Sequence, residues 1–405
     1  MKLLFVHQNF PGQFRFLAPA LVGRGHQVVA ISRKGNGGVL PGVELCHYDL
    51  ARGNTAGIHV LASEWESKVL RGEACARVAE ELRRRGFVPD LIIAHPGWGE
   101  ALYLRDVFPQ SPLICFAEFF YNAQGQEMGF DPEFPDADLH NMARLHTKNA
   151  NLLLALEQMD AGISPTRWQA SRHPQWAQQK IRVIHDGIDT DEMAPDPEAR
   201  VTLPDYGLHL APGDEVVTFV SRNLEPVRGY HIFMRALPEI LRRRPNAVVF
   251  IVGGDSVSYG APGTEGSYRG KYLQEVIAEL DPKRVIFMGK VDYHVYRRLI
   301  QVSRCHVYLT YPFVLSWSML EAMSAGALVV GSRTPPVTEV IEHERNGLLF
   351  DFFDIAGLTD TVTAALESPQ DYASLRQQAR ETILQDYDLH SHCLPAQLAL
   401  VESYQ

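Results

Sequence analysis

The sequence is poor in cysteine, in excess positive charge and in long apolar runs, and each shortage excludes a class of protein. Its five cysteines are scattered without a Cys-x-x-Cys pair, which argues against a disulfide framework or zinc site and favours a reducing compartment. The net charge of −10 argues against non-specific nucleic-acid binding. No run reaches the roughly 20 apolar residues of a membrane-spanning helix. The first apolar run, 1–6, is too short for a signal peptide, so we expect a cytoplasmic protein.

Short apolar runs alternate with helical patterns in the first half, which predicts a parallel sheet covered on both faces. Ligands of such sheets bind at the carboxyl ends of the strands. This rule points to the turn at Gly12, to His95 and to Glu118, each of which follows a run. The predicted strands are 3–6, 28–31, 90–95, 113–118, 161–164 and 181–184, with a helix over 14–22.

A second series of strands and helices follows a stretch rich in Pro, Asp and Glu over 190–213, which reads as a linker. Its strands are predicted at 216–221, 248–252, 285–288, 306–310 and 328–331. The fold class is therefore α/β with two doubly wound domains. We expect the domains to be 1–190 and 191–385, with 386–405 as a C-terminal helix that can cross back to the first domain.

Charged groups follow the strands of the second half in a fixed order. The segment 221–229 places Arg222 and Arg228 six positions apart, and paired guanidinium groups suit a pyrophosphate. A helix then opens after residue 316, where free backbone N–H groups form an anion site. Glu321, one turn into that helix, can accept two hydrogen bonds from a ribose diol.

Small and polar residues surround these motifs. Gly253 ends a strand and lets a ligand approach the backbone. The glycine-rich stretch 255–271 predicts a loop near the ligand, with Tyr259 and Tyr268 available to contact an acceptor.

The ordered set resembles glycosyltransferase family 4, the retaining enzymes of the GT-B architecture. This resemblance implies two Rossmann-like domains that face a central cleft, with the nucleotide on the second domain and the acceptor mostly on the first. By the same likeness, Arg222 and Arg228 would neutralise the leaving diphosphate, although the family usually has Lys at position 228. The other donor-binding residues that it implies are Gly12, Gly253, Lys290, Val291, Leu315, Ser316, Trp317, Ser318, Glu321 and Glu339.

Two residues depart from the family pattern. Phe313 stands where the family has the first glutamate of E-x7-E, near the transferred sugar. Glu118 stands at a strand end where the family often has a sugar-contacting His. Because Phe119 and Phe120 follow it, we expect desolvation to raise the pKa of Glu118. We expect Glu118 to position or deprotonate the acceptor hydroxyl. His95, at another strand end near the proposed cleft, is a further catalytic candidate.

Two Asp-x-Asp patterns, 136–138 and 189–191, raise the question of a metal. Such short patterns arise by chance, and paired arginines with a helix N-terminus can balance phosphate charge without a metal. We therefore expect no metal and no cofactor, with the nucleotide-diphosphate sugar as co-substrate.

The sequence thus predicts a retaining, metal-independent hexosyltransferase with a UDP-sugar donor. Its acceptor stays open among glycans, lipid-linked glycans, proteins and small molecules, and so does peripheral contact with the inner face of a membrane. The alternatives are a degenerate nucleotide-sugar-binding module, a nucleotide-sugar epimerase of the same architecture and a phosphorolytic enzyme.

Overall fold

The computed structural model describes residues 1–135, 138–259, 263 and 266–405. The chain divides into two compact units, of which the first comprises Met1–Gly187 with His390–Gln405 and the second Ile188–Leu389. Asp136 and Ala137 of the first Asp-x-Asp pattern lie outside the described residues, as do residues 260–262, 264 and 265 of the predicted loop.

The first unit is built on a seven-stranded parallel sheet. Its strands are β1 Lys2–Val6, β2 Gln27–Arg33, β3 Val43–Tyr48, β4 Leu91–Ala94, β5 Leu113–Phe116, β6 Ala161–Ser164 and β7 Ile181–Val183. Their order across the sheet is β3-β2-β1-β4-β5-β6-β7. The central strands are apolar throughout and buried, because helices cover both faces.

The helices of this unit include one from the end of the chain. They are α1 Leu17–Gly23, α2 Val60–Arg84, α3 Leu104–Val107, α4 Leu139–Gln158, α5 Arg167–Arg172, α6 Gln175–Gln178 and α14 Leu394–Glu402. The last of them, α14, contributes Leu398 and Val401 to the apolar cluster around β1, and its Glu402 pairs with Arg24 at 2.5 Å.

The second unit is built on a six-stranded parallel sheet, which a short hairpin of β8 Val201–Leu203 and β9 Leu208–Leu210 precedes in the chain. The strands of the sheet are β10 Val216–Asn223, β11 Val248–Gly254, β12 Val285–Gly289, β13 Cys305–Tyr308, β14 Leu328–Ser332 and β15 Leu348–Phe350. Their order is β12-β11-β10-β13-β14-β15. The helices are α7 Tyr230–Arg243, α8 Tyr268–Val276, α9 Tyr293–Val302, α10 Trp317–Ser324, α11 Pro335–Thr338, α12 Ile355–Glu367 and α13 Ala373–Asp386.

Each sheet reverses its strand order once, between β1 and β4 in the first unit and between β10 and β13 in the second. At such a switch point the two following loops leave in opposite directions and open a crevice at the carboxyl ends of the strands. The loops that carry His7 and His95 lie at the first reversal. Those that carry Arg228 and Leu315 lie at the second.

The elements differ from the prediction in short segments. Residues 190–213 are not a plain linker, because β8 and β9 pair there as an antiparallel hairpin. Val201 and Leu210 pack on the core of the second unit. Strands of three residues are too short to show a periodic apolar pattern in the sequence. The first helix begins at Leu17, because Gly12–Phe14 forms a separate 3₁₀ turn. Tyr268 begins α8 and does not lie in a loop.

Candidate active site

A hydrogen-bonded set of polar side chains lies at the switch point of the first unit. His7 follows β1, and its Nε2 lies 2.9 Å from Oε1 of Gln13. The Gln13 amide donates to Oε1 of Glu118 at 2.9 Å, and Nε2 of His95 lies 3.4 Å from Oε2 of the same carboxylate. The structure therefore brings the predicted residues Glu118 and His95 together, and it adds His7 and Gln13.

Backbone contacts fix which nitrogen of each imidazole carries the proton. Nδ1 of His7 accepts from the Asn9 N–H at 2.9 Å, and Nδ1 of His95 accepts from the Gly97 N–H at 3.2 Å. A neutral imidazole that accepts at Nδ1 carries its proton on Nε2. The Nε2–H of His7 is thus the donor to Gln13, whereas Nε2 of His95 lies near the Glu118 carboxylate without a hydrogen bond of good geometry.

The predicted rise in the pKa of Glu118 is wrong. Burial does raise the pKa of this carboxyl group, but interactions with His95, His7 and Gln13 outweigh burial, and the net pKa lies below its usual value. Sequence reasoning saw the aromatic residues that follow Glu118 and missed the donors, because they come from two other loops of the sheet. Glu118 is accordingly an ionised hydrogen-bond acceptor at neutral pH.

Aromatic rings hold His95 in place. Trp98 stacks on the His95 ring at 4.4 Å between centroids, and Phe116 stacks on it at 5.6 Å. His7 meets Trp98 edge to face at 5.0 Å. His95 itself is buried, so its imidazole has a single orientation toward Glu118.

Gly12 is required by the packing of His7. Its φ is +48°, and a Cβ at this position would lie 2.5 Å from His7 Nε2. The close approach of protein atoms accounts for the glycine, and the contact of Gly12 with donor phosphates stays a prediction.

Gly12→Ala should lower the free energy of unfolding by about 2–4 kcal/mol, because it adds left-handed strain to a steric clash. Gly35→Ala is the matched control, since Gly35 has φ +80° and a Cβ added there would meet no heavy atom within 4 Å. This control should lose about 1 kcal/mol from backbone strain alone. Urea unfolding measures both, and equal losses would contradict the packing role of Gly12.

The two predicted arginines of the second unit have different environments. Arg222 is exposed near the end of β10. Arg228 is buried, and its guanidinium donates to Thr310 Oγ1 at 2.9 Å and to the Val314 carbonyl at 2.8 Å. This places a fixed cation beside the loop that leads into α10.

Phe313, the departure from the family pattern, packs against Arg228. The guanidinium carbon lies 5.7 Å from the Phe313 ring centroid and 5.3 Å from that of Tyr259, and the two rings meet at 4.9 Å. One of these rings, Phe313, stands where the family pattern has a glutamate. The charge of the Glu225 carboxylate also acts on Arg228.

Glu225 anchors the segment that carries Tyr259. Its carboxylate accepts from the backbone N–H groups of Ser258 at 3.2 Å and Tyr259 at 3.1 Å, and burial raises its pKa. The sequence analysis did not predict this role. The available signal was a carboxylate in the loop that follows β10.

The start of α10 is built around a serine cap. Ser316 Oγ accepts from the Ser318 N–H at 3.4 Å, and the Ser316 N–H donates to Tyr308 Oη at 2.8 Å. The N–H of Ser318, one of the predicted donor-binding residues, is therefore occupied by the cap. Leu315 and Ser318 are buried, whereas Trp317 is half-buried.

Glu321 points into a pair of tyrosines. Its carboxylate accepts from Tyr293 Oη at 3.1 Å and from Tyr296 Oη at 2.7 Å. Burial and the Glu321 charge raise the pKa of Tyr296, so this hydroxyl remains a donor. Two donors from α9 thus fix the carboxylate, whose further lone pairs can accept from a diol.

The remaining predicted donor residues lie on neighbouring strand ends. A Cβ on Gly253 would lie 2.8 Å from Leu224 Cδ2, so packing accounts for this glycine and its ligand contact stays a prediction. Lys290 is exposed after β12, and Val291 packs on the core. Glu339 is half-buried at the end of α11.

The described residues contain neither a cluster of potential metal ligands nor a helix that could span a membrane. Within residues 1–135, 138–259, 263 and 266–405, no group of three or more His, Cys, Asp or Glu side chains could hold a metal ion. Across these same ranges, no helix has the length and apolarity to cross a membrane.

Solved structures with the same architecture define the class of protein. HepE from Anabaena in complex with UDP-glucose aligns over 100% of both chains with a TM-score of 0.70 and 17% identity. Sucrose-phosphate synthase from Thermosynechococcus elongatus aligns over 100% of this chain and 98% of its own, with a TM-score of 0.76 and 16% identity. The chain thus has the GT-B fold, as predicted.

Sequence comparisons identify the family. Residues 24–193 match the Glycosyl transferase family 4 group, and residues 208–382 match Glycosyl transferases group 1. The chain belongs to glycosyltransferase family 4, which confirms the resemblance drawn from the ordered motifs.

Two curated relatives show how far the similarity extends. The GDP-mannose-dependent alpha-(1-6)-phosphatidylinositol monomannoside mannosyltransferase of Mycolicibacterium smegmatis is 27% identical over 50% of this chain and 51% of its own length. D-inositol 3-phosphate glycosyltransferase 2 of Catenulispora acidiphila is 25% identical over 90% of this chain and 83% of its own length. The chain therefore spans about half the length of the mannosyltransferase that it matches.

Proposed function

We propose that this protein transfers a hexose-type sugar from a nucleotide-diphosphate donor to an acceptor hydroxyl, with retention of anomeric configuration and without a metal. The observation that carries the proposal is the buried Arg228 cation beside the capped start of α10, at the strand reversal of the second sheet. A fixed cation and a helix N-terminus suit the diphosphate that leaves during transfer.

The reaction breaks the bond between the anomeric carbon and the diphosphate oxygen and forms a bond from that carbon to the acceptor oxygen. Arg222 and Arg228 stabilise the charge that develops on the departing diphosphate. Because the lowered pKa of Glu118 makes it a weak base, Glu118 orients the acceptor O–H and the diphosphate takes the proton.

UDP is the nucleotide that we favour, with Glu321 as the ribose-binding group. The solved structure of HepE holds UDP-glucose, which supports UDP, whereas the mycobacterial relative is named for GDP-mannose. The proposed partners are this donor and an acceptor of unassigned class.

Calorimetric titration with UDP, GDP, ADP and TDP, in EDTA, tests the donor site. One diphosphate should bind most tightly, and Glu321→Ala should weaken it by about 10–100-fold, because a charged hydrogen-bond acceptor contributes about 1.5–3 kcal/mol. Glu239→Ala is the matched control, since Glu239 is paired with Arg242 and Arg243 on α7 away from the strand ends.

Absence of binding to all four nucleotides in EDTA and in Mg²⁺ would overturn the donor site. Binding that appears only with Mg²⁺ would contradict metal independence.

A non-catalytic module that binds a nucleotide sugar is the second candidate function. Phe313 favours it, because a buried phenyl ring replaces the glutamate that the family places near the transferred sugar. Tight nucleotide binding with no release of UDP from UDP-glucose, and none of GDP from GDP-mannose, would support the module over the transferase.

A further inference from the structure

Gln13 joins His7 to Glu118 through two hydrogen bonds. Its Oε1 lies 2.9 Å from His7 Nε2, and its Nε2 donates to Glu118 Oε1 at 2.9 Å. Gln13 and Glu118 are 105 positions apart in the chain, so the contact exists only in the folded sheet.

The orientation of the Gln13 amide follows from the backbone. Because Nδ1 of His7 accepts from the Asn9 N–H, Nε2 carries the proton and Gln13 Oε1 must be the acceptor. The Gln13 NH₂ group is then directed at the carboxylate. A flipped amide would set oxygen against carboxylate oxygen and N–H against N–H, so one orientation is strongly preferred.

We propose that Gln13, aligned by His7, is a positioning residue that fixes the Glu118 carboxylate as the acceptor of the incoming hydroxyl's hydrogen bond. This inference rests on the proposed function. Glu118 keeps 29% of its side-chain surface exposed, and a carboxylate has lone pairs beyond the one that accepts from Gln13. The incoming hydroxyl therefore meets an oxygen whose position is already set.

Two titratable side chains face Glu118. They are His7 and His95, and Gln13 adds a neutral donor. Burial, followed by the neighbouring His95, lowers the pKa of His7 to about 3, so His7 remains neutral. The backbone carbonyl of Glu118 accepts from Gln169 Nε2 at 2.7 Å, which fixes the main chain as well.

Gln13→Met tests the proposal by removing both hydrogen bonds at similar side-chain length. Loss of a donor to the ionised carboxylate should raise the pKa of Glu118 by about one unit or more. On acidification, the activity that needs ionised Glu118 should then begin to fall at a higher pH than in the wild type. His7→Phe should shift the pKa in the same direction by less, because the Gln13 amide stays but loses its alignment.

Two measurements on the full chain detect the change in the pKa of Glu118 and its effect on activity. The first is a titration of the ¹³C-labelled glutamate carboxyl groups by NMR, with the Glu118 signal assigned through Glu118→Gln. The second is the pH profile of nucleotide release with UDP-glucose and with GDP-mannose as donor and water as acceptor. Gln178→Met is the matched control, since Gln178 donates to the Ser171 and His173 carbonyls beside α6 and should leave both readouts unchanged.

The outcomes separate this inference from the proposed function. A raised Glu118 pKa in Gln13→Met, together with a shift of the acid limb of the pH profile to higher pH, supports the positioning role. An unchanged Glu118 pKa overturns it, and so does a raised pKa with an unmoved acid limb. If the wild type releases no nucleotide, the proposed function fails, and the NMR titration still decides whether Gln13 holds the carboxylate.

Discussion

Arg228→Met should lower kcat by about 100–1,000-fold, because it removes a fixed cation from the site where the diphosphate leaves. The side chain is buried, and its guanidinium donates to Tyr308, Thr310 and the Val314 carbonyl. The same substitution leaves these acceptors without their donor, so the melting temperature should also fall. Nucleotide release from UDP-glucose and from GDP-mannose measures kcat, and differential scanning fluorimetry measures stability.

Arg228→Lys separates charge from geometry. Lysine keeps the positive charge, and the family usually has lysine at this position, so kcat should stay within about tenfold of the wild type. Arg242→Met controls for loss of an arginine elsewhere in the second unit, since Arg242 is exposed and pairs with Glu239. A folded Arg228→Met variant with wild-type kcat would refute the role of this cation.

Glu118→Gln should lower kcat by about 100-fold or more. The reason is that an amide has one acceptor oxygen where the carboxylate has two. The Gln13 amide donates to Glu118 Oε1, and Nε2 of His95 lies 3.4 Å from Oε2. An amide offers one oxygen and sets its NH₂ group against one of these donors, so the side chain must rotate away. The incoming hydroxyl would then lose its oriented acceptor.

Nucleotide affinity should be unchanged in Glu118→Gln, because the donor-binding groups proposed above lie mainly in the second unit. Glu44→Gln is the matched control, since Glu44 is an exposed carboxylate of the first unit that pairs with Arg85. Initial rates at saturating donor, together with calorimetric nucleotide affinity, test both variants. Wild-type kcat in Glu118→Gln would remove Glu118 from the mechanism.

Much of the fold could be predicted because its strands are continuous apolar runs that end in polar residues. The strands β1, β4, β5 and β6 match their predictions within about two residues. β3 and β15 were not predicted, since β3 mixes polar and apolar residues at an edge of the sheet and β15 has only three residues. The family was also readable, because Arg222, Arg228 and Glu321 keep their order and their strand contexts.

The environment of the site could not be predicted from the sequence. Reading Glu118 beside its phenylalanines gave the wrong direction for its pKa, because the outcome depends on His7, Gln13 and His95. The packing of Tyr259 on Phe313 and Arg228 was equally hidden. In both places the partners arrive from separate loops.

By itself, the sequence determined the two parallel sheets, the family and the positions where charged residues follow strands. Local periodicity and motif spacing encode these features, because both are read over a few neighbouring residues. The tertiary structure alone decided which of these side chains meet, which imidazole nitrogens donate and whether Glu118 is ionised. Those properties depend on distances of a few ångströms between loops far apart in the chain, since hydrogen bonds and electrostatic fields act over such distances.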